Sequence, residues 1–151
     1  MTLRKAFAIG AVAAATGLLG PEASIAKAPP GRYTVDADTA LDTVTGLRWQ
    51  RATPVGKVNA AGAKAYCEAL ALGGYGNGWR LPALRELVSL VDRRAALPAI
   101  DTETFAGTKN DMYWSTTPHA GKEGLVWGLA FNHGDSYFQQ PTYQAWVRCV
   151  R

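Results

Sequence analysis

The hydrophobic positions change period along the chain. Residues 6–20 form an apolar, Ala-rich run. From Asn59 to Leu72, Ala63, Tyr66, Cys67 and Leu70 share one face at helical spacing, which predicts a helix with Cys67 turned inward. Asn59 stands where an N-cap belongs. A second helix is expected after Pro82, where Leu84, Leu87, Val88 and Val91 fall at i, i+3, i+4 and i+7. Pro82 suits a helix start, and Glu86 can reach back to an unpaired N–H of the first turn. This helix is expected to be the beam on which the domain packs. Elsewhere the period shortens. Tyr33–Val35 begins a strand, and Leu47 and Trp49 alternate with Arg48 and Gln50 after a turn through Gly46. Met112–Thr117 and Leu125–Phe131 read as strands joined by the polar loop Pro118–Gly124. Asn132–Asp135 reads as a turn with Gly134 at its tip, and Ser136–Gln140 leads out of it. Gln144–Arg151 closes the chain as a strand, with Ala145, Val147 and Cys149 on one side and Trp146, Arg148 and Val150 on the other. Arg93–Asn110 is loop, anchored by Ile100 and Phe105. Strands, two helices, then antiparallel strands make an α+β domain with its termini close together.

The apolar run follows Arg4 and Lys5 and precedes the small residues Ala23-Ser24-Ile25-Ala26. That order is a secretory signal peptide, residues 1–26, cut after Ala26 or, less favourably, after Ala28. The run is short for a membrane span, so no stable span is expected after cleavage. Residues 27–32 read as an extended leader and residues 33–151 as the domain. The expected location is the periplasm, the cell surface or the medium. Cleavage removes Arg4, Lys5 and Glu22, so the net charge falls from +4 to +3. A mild excess permits an anionic partner without requiring one. Nucleic acid is not expected, because the longest basic run of the mature chain is Arg93-Arg94. Cys67 and Cys149 are the only cysteines, and an even count in an exported chain reads as a disulfide.

Candidate chemistry is sparse. Asp36, Asp38 and Asp42 invite a calcium loop, but Ala40 and Leu41 hold its fifth and sixth positions and Leu47 its twelfth. Calcium is unsupported and no cofactor or metal site is expected. The loop Gly73–Gly78 lacks the Gly-Lys-Ser/Thr ending of a phosphate loop and reads as connection. Ser89, Ser115 and Ser136 have only His119 and His133 as conceivable bases, with no fixed partner, so no catalytic constellation is expected.

Five motifs in order carry a resemblance. They are Thr45-Gly46-Leu47-x-Trp49, Ala63-x-x-Tyr66-Cys67-x-x-Leu70, Trp79-Arg80-Leu81-Pro82-x-x-x-Glu86-Leu87, Tyr113-Trp114-Ser115-x-Thr117 and Val147-Arg148-Cys149-Val150-Arg151. Together they resemble the Lcl C-terminal domain family, named for the end of a bacterial collagen-like adhesin. The Arg80–Glu86 segment and the closing Arg148-Cys149 also resemble sulfatase-modifying proteins. Both groups are similar to the C-type lectin-like fold, which implies that fold here and a bond from the first helix to the last strand. Trp79, Arg80, Pro82 and Glu86 are then structural. Ala83 departs from the Thr or Ser usual after the proline, so half the capping box is missing. An aromatic residue usual early in the first helix is also absent, where Val58 and Ala60 stand. The extra cysteines of formylglycine-generating enzymes are absent, so that activity is not carried over.

The resemblance implies a ligand face in the second half of the chain. Trp114, Trp127 and Trp146 are read as core. Asn132, His133, Asp135, Tyr137, Gln139 and Tyr143 are the candidate ligand residues, since aromatic faces among amides and carboxylates suit sugars. Lys109 and Lys122, with Arg93 and Arg94, would meet the anions of a sulfated glycan, the ligand the adhesin resemblance implies. The expected partner is a glycan or another envelope component. A structural protein that binds only another envelope protein is the alternative.

Overall fold

In the computed structural model, which describes residues 28–151, the period-two stretches build two antiparallel sheets of three strands each. The signal-peptide reading lies outside the described residues. The first sheet joins β1 (Tyr33–Val35), β2 (Thr39–Asp42) and β3 (Arg48–Gln50) in that order. The second joins β4 (Met112–Pro118), β5 (Val126–Ala130) and β6 (Asp135–Gln139). Two helices lie between, α1 (Ala60–Glu68) and α2 (Leu84–Ser89). The α+β class is as expected.

The leader differs from expectation. Pro29–Arg32 is a turn closed by the Arg32 N–H on the Pro29 carbonyl, 3.1 Å. Pro30 and Gly31, with Gly31 at φ +79°, occupy the central positions that such a turn favours.

α1 starts where expected, because the Asn59 side chain accepts from the Gly62 N–H at 2.8 Å. α2 is much shorter than its periodicity suggested. Val91 leaves the helix to bridge Ile100, and the Asp92 N–H bonds the Ala99 carbonyl. Leu87 and Leu90 are buried while Val88 is exposed, so the helix is a short brace and not the beam of the domain. Its start is capped from two sources. Glu86 accepts from the Ala83 N–H at 2.7 Å and holds Arg80 through two bonds of 2.7 and 2.8 Å. That pairing with Arg80 holds the Glu86 carboxyl below its ordinary pKa. The hydroxyl that Ala83 lacks comes from β4, where Thr117 Oγ1 accepts from the Leu84 N–H at 2.9 Å.

The element that ties the domain together is the closing segment. Trp146 bonds Met112 and Trp114 of β4, parallel to it. Cys149 and Arg151 then bond Gln50 and Arg48 of β3, and Val150 exchanges two bonds with Arg80. The terminus therefore pairs with β3 and not with the opening strand. Val147, Arg148, Cys149 and Val150 are all buried, so both sides of the closing segment face the interior. The Cys67–Cys149 disulfide is present, with Cα atoms 5.4 Å apart.

β4 divides the core. Tyr113 packs with Trp49, Leu87, Phe105, Leu129 and Phe131. Met112 and Trp114 pack with Cys67, Trp79, Leu81 and Val147. Gly128 of β5 lies in this close packing. A Cβ there would stand 2.5 Å from the Tyr113 carbonyl oxygen and would also strike Met112 Cε. Gly128→Ala is expected to cost about 1–3 kcal/mol, read as a lower urea midpoint with an unchanged slope. An unchanged midpoint would show that β4 and β5 can separate freely.

Candidate functional site

β6 is an edge strand, so its side chains alternate between the two sides of the second sheet. Asp135, Tyr137 and Gln139 point to one side, and Ser136 and Phe138 to the other. The register places Tyr137 beside Gly128, and Gly128 beside Trp114. Tyr137 therefore belongs to the Trp114 side. Tyr143 reaches the same side from the closing segment and sets its ring edge-on to Trp114, with centroids 6.4 Å apart. Trp114 itself is buried, with its indole N–H on the Val58 carbonyl at 2.9 Å. Tyr137 and Tyr143 remain 47% and 41% exposed. Two solvent-facing phenol rings thus stand on one sheet face, with Asp135 and Gln139 on either side of Tyr137 along β6.

The other candidates fall elsewhere. Asn132 and His133 occupy the β5–β6 turn. The Asn132 side chain is used internally, accepting from the His133 N–H at 2.8 Å, while its carbonyl accepts from the Leu97 N–H. His133 is exposed at the tip. Lys122 lies on the opposite side of the sheet, its Nζ 4.3 Å from the Phe138 ring centre. There His119 stacks on Trp127 at 4.9 Å, and Phe138 meets both edge-on. Lys109 lies over Trp146 of the closing segment, at 5.5 Å. Lys122 is therefore separated from the tyrosines with which sequence groups it.

One cation that sequence reading missed stands nearer. Lys57 Nζ lies 2.5 Å from Asp111, and Tyr143 contributes to its electrostatic surroundings. The bond to Asp111 raises the Lys57 pKa. Burial pushes the Asp111 carboxyl up, but Lys57 and the Met112 N–H outweigh it and leave the pKa lowered. Both are charged and committed to each other. Nothing in the sequence around Lys57, the only charged residue between Arg51 and Lys64, signals the pair.

Several of the remaining chemical groups are engaged. Asp36 accepts from the Thr39 N–H and hydroxyl and from Arg48, and these bonds lower its pKa, the Thr39 hydroxyl foremost. Asp42 is buried against Arg32 at 3.0 Å. Among the described residues no group of three His, Cys, Asp or Glu side chains is placed to hold a metal ion. Ser89 and Ser115 each donate to a carbonyl, those of Glu86 and Trp127, both at 2.6 Å. His119 Nδ1 accepts from the Gly121 N–H. No serine is paired with a histidine in these bonds.

The glycine-rich loop is a tight hairpin. Leu72 and Tyr75 exchange two backbone bonds around Gly73 and Gly74, both at positive φ, as a two-residue turn requires. A cavity of about 340 Å³ opens there, lined by Asp38, Tyr75 and the loop backbone. Arg48 and Arg151 both lie over the Tyr75 ring, at 5.3 and 4.4 Å.

Among the described residues no helix is long and apolar enough to cross a membrane. The family model of the Lcl C-terminal domain matches residues 38–151. Among the curated proteins and the solved structures, none matches the chain.

Proposed function

The chain belongs to the Lcl C-terminal domain family, an adhesin-like C-terminal module, and on that premise we propose that it is an exported, non-catalytic binding module of C-type lectin-like fold that recognises glycan. The observation that supports this reading is the pair of exposed rings, Tyr137 and Tyr143, on the Trp114 side of the second sheet. Aromatic faces stack on the apolar face of a sugar ring, and Asp135 and Gln139 supply acceptors and donors for its hydroxyls. Lys57, which interacts electrostatically with Tyr143, is paired with Asp111, and Asp135 brings a carboxylate side chain to the face. That balance favours a neutral, hydroxyl-rich glycan at this face over a sulfated one. Binding there is then insensitive to salt.

A glycan array followed by calorimetry tests the reading. Tyr137→Ala and Tyr143→Ala are each expected to weaken binding roughly tenfold, the equivalent of about 1.4 kcal/mol for a lost aromatic contact. Full affinity in both variants would move the site off this face. A folded protein that binds no glycan at low or high salt would favour a protein partner. Binding that fades with salt and depends on Lys122 would place a sulfated glycan on the opposite side.

A further inference from the structure

A three-stranded sheet has two edges, and exposed edges template further pairing unless they are blunted. The edges here are not equivalent. The β3 edge is taken by Cys149–Arg151, and the β4 edge by Trp146. β1 is only three residues long. β6 runs five residues, and among the described residues nothing pairs with its outer side. Of the devices that protect edges it carries a single carboxylate, Asp135, at its start. Asp135-Ser136-Tyr137-Phe138-Gln139 contains no Lys, Arg or Pro, and the register irregularity of this sheet lies in β4.

We propose that β6 is the edge through which two copies of this chain pair, antiparallel and centred on Tyr137, into one continuous six-stranded sheet. A closed dimer needs a self-complementary strand, and antiparallel pairing about a two-fold axis meets that condition. With Tyr137 on the axis, Tyr137 faces its own copy, Ser136 faces Phe138 and Asp135 faces Gln139. The strand's one charge therefore meets an amide and not its own copy, which is the complementarity that selects a second copy over a foreign strand. The two-fold stands perpendicular to the sheet, so both Trp114 sides face the same way. The pair would carry the Tyr137 and Tyr143 rings of both copies along one surface.

Sedimentation equilibrium of the exported, disulfide-bonded protein without glycan tests the pairing, and does so independently of any ligand. The expected result is a reversible dimer. Gln139→Asp sets a carboxylate opposite Asp135 at two symmetric positions and is expected to weaken dimerisation roughly fivefold, whereas Gln139→Lys strengthens it by a similar factor. Thermal melts of both variants at a monomeric concentration show whether each protomer is intact. A protein that stays monomeric at all concentrations overturns the proposal. So does a dimer indifferent to both substitutions, which would use another surface. A monomer whose β6 amides become protected from exchange only on adding an unrelated extended peptide would assign the edge to a foreign strand, and would also overturn it.

Discussion

Arg148→Ala is expected to destabilise the domain by about 3–5 kcal/mol, the cost typical of breaking a buried, hydrogen-bonded charge. The side chain is wholly buried and no carboxylate pairs with it among the described residues. Burial pulls its pKa below the ordinary guanidinium value, yet a guanidinium keeps its proton in proteins. The charge is met instead by a fork of neutral acceptors. Nη1 donates to the Gln50 and Arg51 carbonyls at 3.0 and 2.9 Å. Nη2 donates to the Thr53 and Thr108 hydroxyls at 3.2 and 2.8 Å. The Phe105 and Tyr113 rings lie 4.8 and 5.7 Å from the guanidinium carbon and add their negative faces. Truncation opens a cavity and removes the donor from the carbonyls of Gln50, the last residue of β3, and Arg51. Arg148→Lys keeps the charge but offers one nitrogen where the site is built for two, so it should fall between wild type and Ala. Urea unfolding of the three proteins checks the order. An Arg148→Lys midpoint equal to wild type would show that charge alone, without the fork, suffices.

Alternation separates Arg148 from Val147 but does not say what covers either side. A strand with one covered face would leave one of the two sets in solvent. Here Ala145, Val147 and Cys149 enter one core cluster and Val150 the other, while Arg148 meets Phe105 and Thr108, so both faces are interior. The same limit explains α2. Its period marked Val88 as inward, but the helix ends before that face is filled, because Val91 is recruited by Ile100. Thr117 as the cap of α2 was illegible, since the donor and acceptor come together only when β4 is in place. Features set by adjacent residues were legible: the Asn59 cap, the inward Cys67 and the β4–β5 hairpin. The candidate face divides the same way. Asp135, Tyr137 and Gln139 share a side because strand period dictates it. Lys109 and Lys122 sit in loops, where spacing says nothing of direction; Lys122 emerges against Phe138, opposite Tyr137, and Lys109 over Trp146.

Removing the disulfide should have an effect of similar size, and the most revealing part is where the structure yields first. Cys67 and Cys149 are separated by 82 positions, so in the chain-entropy account the cross-link is worth about 4–5 kcal/mol. A Cys67→Ala, Cys149→Ala protein, or wild type under reductant, is expected to lose most of that in urea. The loss should begin at α1. That helix has nine residues, AAGAKAYCE, and a helix so short is marginal without tertiary support. Its fully buried residues are Ala63 and Cys67, which bring little apolar surface. Backbone bonds hold only its entry, where Val58 pairs with Ala145 and the Ala60 N–H bonds the Pro141 carbonyl; the sulfur bridge ties down its last turn, whereas β3 and β4 keep their own backbone bonds to the closing segment after reduction. Hydrogen exchange on reduced protein should show the α1 amides unprotected while those of β4 and β5 remain slow. Equal protection across α1 and β4 after reduction would mean that packing of Ala63, Tyr66 and Leu70 alone holds the helix. The bridge would then act only on the unfolded chain, with no part in positioning the second core cluster beneath Tyr143.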